Sequence, residues 1–191
     1  IVYSNYGSTD VLSLAEIATP TPSANEVLIK VQAASVNAYD WRNMRADPFL
    51  VRLSGRGVFK PKLTIPGIDV AGTVEAVGSD VTQFQPGDKV FGDISQTGKG
   101  CFAEYVAVPE SAVVLKSPMM TFEEAAAMPM AALTALQGLR DSGQIQPGKK
   151  ALINGASGGV GTFAVQIAKA YGAEVTAVCS TSKMDMVAAL G

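Results

Sequence analysis

Between Ile1 and about Lys116 the apolar positions come in short runs divided by glycine and proline, with no long helical stripe. That is the pattern of a small, mostly β unit. In Glu26–Ala34, Val27, Ile29, Val31 and Ala33 alternate with Leu28, Lys30 and Gln32, which predicts a half-buried strand. Asp69–Val77, Asp88–Ile94, Phe102–Val108 and Ala112–Lys116 read as further strands. Turns are expected at Pro66-Gly67, Gly78-Ser79-Asp80 and Pro86-Gly87-Asp88, where proline presets φ and glycine permits a positive one.

The period changes after Ser117-Pro118. Thr121-Phe122-Glu123-Glu124 offers a capping box ahead of the Ala-rich run Ala125–Met128, so a helix is expected to begin there. Pro129 suits a first helical position, which predicts a break and then a second helix to about Leu139, the pair joining two domains. From Lys150 onward the order is a strand at Ala151–Ile153, a Gly-rich turn at Asn154–Gly161, a helix, a strand at Glu174–Cys179 and another helix. The first of these helices carries Val160, Phe163, Ala164, Ile167, Ala168 and Tyr171 at helical spacing, with Gly172 at its C-terminal cap. The chain is therefore divided into a β domain over 1–118 and an α/β domain over 119–191.

Composition narrows the chemistry. The 191 residues are 48% hydrophobic and 7% aromatic, ample for a globular core, and a net charge of -2 gives nucleic acid or an anionic membrane nothing to hold. No apolar run approaches the roughly 20 residues of a bilayer span, and Cys101 and Cys179 stand too far apart to suggest a disulfide framework or metal knuckle. A reducing, cytoplasmic setting is expected on these grounds. There is no histidine, so the commonest zinc ligand and the commonest general base are both missing.

Ala156-Ser157-Gly158-Gly159-Val160-Gly161 is an A-x-G-x-x-G form of the dinucleotide fingerprint, placed after a strand and opening a helix. Small residues let the backbone turn tightly, and the N–H groups and dipole of the helix start favour a pyrophosphate. Ala156 stands where the common pattern has glycine and is expected to restrict the turn slightly. About 20 residues on, where an NAD site usually offers an acid, the chain reads Val178-Cys179-Ser180-Thr181-Ser182-Lys183. Hydroxyls and Lys183 suit a 2′-phosphate, so NADPH is favoured over NADH. The plainer alternative is that Ser180 or Thr181 caps the next helix and Lys183 is merely solvated.

Taken together, the segments Ser35-Val36-Asn37-Ala38-Tyr39-Asp40-Trp41, Pro66-Gly67-Ile68-Asp69-Val70-Ala71-Gly72, Pro86-Gly87-Asp88-Lys89-Val90-Phe91-Gly92, Phe102-Ala103-Glu104-Tyr105, Ala132-Leu133-Thr134-Ala135-Leu136 and Gly158–Gly161 strongly resemble the medium-chain dehydrogenase/reductase superfamily. The resemblance is to its zinc-independent, quinone oxidoreductase and enoyl-reductase-like branch. It implies a GroES-like β domain followed by a Rossmann domain, here only its first half, with the active site in the cleft between them. It also implies a homodimer. Zinc alcohol dehydrogenases of the superfamily carry Cys where Asn37 stands and His-Glu where Ile68-Asp69 stand, so neither zinc site is expected.

In the resembling reductases the residues matching Asn37 and Thr134 lie near the nicotinamide and its carboxamide. The implied roles are catalytic for Asn37 and cofactor-binding for Thr134. Against them stand a loop residue satisfying backbone groups and a helix hydroxyl bonded to its own preceding turn. Tyr39, Asp40, Trp41, Arg42 and Arg45 are expected to shape pocket or fold, Asp40 as a structural group and Trp41 as core or cleft wall. The activity implied is hydride delivery from NADPH to a quinone or enone; a scaffold that binds NADPH without turnover, or a zinc alcohol dehydrogenase, are the rivals. The loop Pro48–Lys62 carries no diagnostic chemistry. A chain that stops at Leu190-Gly191 is expected to leave sheet faces uncovered and to be inactive alone.

Overall fold

A computed structural model describes residues 1–53, 57–62 and 64–191. Ser54–Arg56, within the expected loop Pro48–Lys62, and Leu63 lie outside the described residues. The chain separates into two compact units, Ile1–Pro129 and Met130–Gly191, each with its own core. The division falls inside the helix pair expected to join the domains.

The first unit is built on five strands: β1 (Glu26–Ser35), β2 (Asp69–Val77), β3 (Lys89–Asp93), β4 (Tyr105–Pro109) and β5 (Val114–Leu115). They form one antiparallel sheet in the order β4-β1-β2-β3-β5. Val27, Ile29, Val70, Val74, Val90, Val106 and Val108 fill the core on one face. The expected alternation in β1 is broken in two ways. Glu26 to Ile29 are all buried. A slip in the pairing with β2 between Val31 and Ala33 then turns Ala33 to the opposite face, as a bulge does. There Ala33 packs with Ala71 and with Ala125 and Ala126 of α2 (Phe122–Ala127), whose methyls let helix and sheet approach closely.

One helix of this unit has no counterpart in the expected elements: α1, Ala38–Arg45. Its buried side chains are Asp40, Asn43 and Met44, so no apolar stripe advertises it. What holds it is polar. The Asp40 carboxylate accepts the Asn37 N–H at 2.7 Å, closing the helix start, and the Gly67 N–H at 3.0 Å, tying α1 to the turn before β2. Asn43 Nδ2 donates to the Tyr39 carbonyl, and Tyr39 Oη to that of Ser95. Trp41 is not a core residue: it is 39% exposed, with the guanidinium groups of Arg42 and Arg45 over its ring.

The expected capping box is present. Thr121 Oγ1 accepts the Glu124 N–H, Glu124 Oε2 accepts the Thr121 N–H, and Pro129 is the first residue of α3 (Pro129–Leu136). A π-helical stretch, Gln137–Ser142, extends α3. Beyond it, β6 (Lys150–Asn154) and β7 (Glu174–Val178) pair in parallel around α4 (Gly159–Ala170), and α5 (Met184–Ala188) follows. The face of α4 that is buried is Gly161, Ala164, Val165 and Ala168, whereas Val160 is 40% exposed and Tyr171 36%. The stripe is thus rotated from the expected one, because the smallest residues, not the bulkiest, allow contact with the strands. On the sheet face opposite Ile153, Leu152 is 72% exposed and Val178 44%, bare apolar surface of the kind expected of a two-stranded parallel sheet.

Burial pushes the Asp40 carboxyl above the ordinary carboxylate range, against the opposing pull of the Asn37 and Gly67 N–H groups. The fold therefore retains this proton to higher pH than the unfolded chain does. The group's contribution to stability is full below its unfolded pKa and declines as pH rises through its folded one. Urea titrations across that window should show the wild-type advantage over Asp40→Asn shrinking as pH rises; an advantage that grows with pH would contradict the assignment. Asp40→Ala, which strands both N–H groups, should cost about 2–4 kcal/mol.

Candidate functional site

In the first unit the site forms where β1 runs into α1. Asn37 is half-buried at the N-cap of α1. Its Nδ2 donates to Ser35 Oγ at 3.1 Å and to Asp69 Oδ2 at 3.1 Å, while Ser35 Oγ donates to the same Asp69 oxygen at 3.2 Å. Asp69 opens β2 directly opposite Ser35 and is 0% exposed. Cys101 Sγ reaches the Asp69 carbonyl at 3.3 Å. Burial, reinforced by the charges of Asp40 and Asp69, pushes the Cys101 thiol far above its ordinary value, so it is an unreactive core group. Sequence reasoning had singled out Asn37 but missed Ser35 and Asp69 as its partners. The available signal was a carboxylate set in the apolar run Ile68-Asp69-Val70-Ala71.

In the second unit the fingerprint turn lies between β6 and α4 as expected, with one correction. The residue at positive φ is Gly155 (φ 76), not Ala156, whose methyl is fully buried in the core. Ala156 does not restrict the turn; it anchors it. The N–H groups of Gly155 and Ala156 both donate to the Val178 carbonyl at 3.0 Å, which fastens the turn to the end of β7. Gly161 has no room for a side chain: a Cβ there would fall on the Gly155 carbonyl oxygen and lie 2.7 Å from Cα of Ala156. Gly158 and Gly159 differ. Each is exposed with φ outside the left-handed region, and a Cβ at Gly159 would meet only the Ala131 Cβ, at 4.0 Å. Gly158, the N-cap, has no side chain to serve the first N–H groups of α4, and Ser157 and Val160 complete the turn.

The same bonds hold the turn to the end of β7, the strand that leads into Ser180 and Lys183. Ser180 stands at the N-cap of a 3₁₀ turn, Thr181–Lys183, but makes no side-chain cap; its Oγ lies 3.4 Å from Ser182 Oγ. Lys183 is exposed, and among the described residues no ion pair holds it. Beyond the end of β7, Asp185 in α5 is the first carboxylate. Thr134 is exposed on α3 and its Oγ1 donates to the Met130 carbonyl at 2.6 Å, the intrahelical bond weighed as the plainer alternative. With its proton spent, the oxygen can still accept.

A concavity of about 830 Å³ in the first unit lies along Leu14–Pro20 and Phe102–Tyr105 and contains none of these residues. Among the described residues no group of three or more His, Cys, Asp or Glu side chains is placed to hold a metal ion, and no helix is long and apolar enough to cross a membrane.

Residues 23–118 match the alcohol dehydrogenase GroES-like domain. Over its whole length the chain is 41% identical to a chloroplastic quinone-oxidoreductase homolog of Spinacia oleracea, covering 58% of it, and 40% identical to a mitochondrial NAD(P)H oxidoreductase of Mus musculus, covering 51%. Over 99% of its length it is 41% identical to the 2-methylene-furan-3-one reductase of Solanum lycopersicum, covering 49%. Among solved structures, the quinone oxidoreductase of Coxiella burnetii superposes on the whole chain with a TM-score of 0.89 at 34% identity, the chain spanning 59% of it. That of Escherichia coli, complexed with NADPH, gives 0.85 at 26% identity and 55%. The chain thus spans about half the length of the proteins it matches. The names of the plant and mouse relatives overturn the cytoplasmic expectation and point to an organelle. Charge and cysteine spacing carry no signal that separates an organelle from the cytosol. With the fold of the solved reductases as well as their sequence pattern, the chain belongs to the alcohol dehydrogenase GroES-like family, in the quinone-oxidoreductase-like branch of the medium-chain dehydrogenase/reductase superfamily.

Proposed function

We propose that the full-length protein is an NADPH-dependent oxidoreductase that reduces a quinone or an α,β-unsaturated carbonyl without zinc, as a homodimer. One observation carries the cofactor reading. Gly161 is a glycine because the protein itself fills its space, but nothing in the protein fills the space at Gly159. There the missing side chain leaves uncapped N–H groups at a helix start open to an incoming anion, which is what a pyrophosphate requires. The preference for NADPH rests on Ser180 and Lys183 at the end of β7, where no acid competes. The NADPH-bound relative supports the same reading.

The reading without zinc rests on the donor set. Asn37 stands where the zinc enzymes have a thiolate, with both amide protons engaged, and Ile68-Asp69 stand where they have His-Glu. When bound, the nicotinamide supplies the hydride. The chain's own residues would hold and orient: the α4 N–H groups would take the pyrophosphate, the Thr134 oxygen would accept from the carboxamide, and Asn37 would serve the reacting end. These 191 residues contain no histidine, so within them the proton would come from water or a hydroxyl. The quinone and enone substrates come from the names of the relatives. Steady-state NADPH oxidation by the full-length protein with quinone and enal panels tests the activity; a protein that binds NADPH but oxidises none in their presence would be a scaffold.

Two substitutions separate fold from site. Gly161→Ala should destabilise the protein by about 3 kcal/mol or more. Gly159→Ala should leave stability unchanged or raise it by up to about 1 kcal/mol, yet weaken NADPH binding about tenfold or more. Calorimetry and a fluorescence titration read the two effects, and unaltered affinity in Gly159→Ala would remove the pyrophosphate from this turn. Lys183→Glu should weaken NADPH about tenfold or more and NADH less than about threefold; equal losses would sink the 2′-phosphate assignment.

A further inference from the structure

Both N–H bonds of the Asn37 amide are used inside the first unit. One runs to Ser35 Oγ and one to Asp69 Oδ2, each at 3.1 Å. The direction of this triangle is determined by its chemistry. A carboxylate only accepts, and the single Ser35 proton goes to the same Asp69 oxygen at 3.2 Å, so Ser35 must in turn accept from Asn37. The amide cannot be reversed without setting its carbonyl oxygen against the Asp69 carboxylate. What remains is Oδ1, which the capping box turns toward the Asp40 N–H in the first turn of α1; a carbonyl oxygen has two lone pairs, so one is left for a second donor.

Ser35 and Asp69 face one another in the β1–β2 ladder, and Asp69 sits at 0% exposure, where a charge carries a desolvation penalty that an apolar or hydroxyl side chain would avoid. Its Oδ2 gathers two bonds, one from Ser35 and one from Asn37.

We propose that Asp69 and Ser35 are positioning residues that lock the Asn37 amide as an acceptor. Asn37 then recognises an O–H or N–H donor on the bound cofactor or substrate, and does not stabilise a developing enolate oxygen, for which it has no proton left. This deepens the reductase reading and rests on it for its kinetic arm only.

The test uses the full-length protein with Asp69→Asn and Ser35→Ala, each alone and combined with Asn37→Ala. If the two residues act through Asn37, each lowers kcat/KM about tenfold when Asn37 is present and less than about twofold in the Asn37→Ala background. Equal losses in both backgrounds overturn the proposal. A loss that appears in NADPH affinity without substrate places the donor on the cofactor; one confined to the KM of the quinone places it on the substrate. A merely structural role moves neither selectively. The second arm needs no turnover: the Asn37 side-chain amide proton pair, assigned by its disappearance in Asn37→Ala, should be slow to exchange in wild type and fast in Asp69→Asn and in Ser35→Ala. A pair that exchanges equally fast in all three overturns the locked amide. A slow pair in a protein that oxidises no NADPH upholds the lock and rejects the reductase reading instead. Ser35→Ala, a small change at a half-buried hydroxyl, keeps both arms decisive if Asp69→Asn fails to fold.

Discussion

The first N–H groups of a helix have no partner within it, and how each helix start meets that constraint organises this protein. At α1 the Asp40 carboxylate reaches back to Asn37, and at α2 Thr121 and Glu124 exchange bonds reciprocally. At α4 the N-cap is Gly158, with no side chain to offer. The turn before it is nonetheless closely specified, with Gly155 in a left-handed conformation, Ala156 buried and two N–H groups on one carbonyl. A rigid turn that leaves its helix start uncapped concentrates partial positive charge at an exposed point, and anion binding follows from that concentration.

The two units treat polarity in opposite ways. In the first, the N–H side of a half-buried amide is engaged by a hydroxyl and a carboxylate, and a buried thiol is held protonated by burial and neighbouring charge. In the second, hydroxyls and an ammonium group are left exposed at the end of a strand. Saturated groups give fixed geometry and unsaturated ones give affinity.

Elements with a strong local signature were legible in the sequence. The capping box at Thr121, the helical start at Pro129 and β2 over Asp69–Val77 fall where the pattern placed them, because each follows from short-range chemistry. What escaped was decided by tertiary contact. Helix α1 buries two polar residues and one Met, so periodicity could not find it. The bulge in β1 and the rotation of α4 onto its small-residue face depend on what packs across from them. In the site, the fingerprint was readable but its positive-φ residue was not. Asn37 stood out through family resemblance, while Asp69, 32 positions away, becomes its partner only when β1 and β2 pair.

The most direct measurement is a crystal structure of the full-length protein with NADPH. The account predicts the pyrophosphate on the N–H groups at the start of α4 beside Gly159, and the 2′-phosphate within hydrogen-bond distance of Lys183 Nζ and Ser180 Oγ. A cofactor whose pyrophosphate avoids that turn, or whose 2′-phosphate points into solvent away from Lys183, would contradict it.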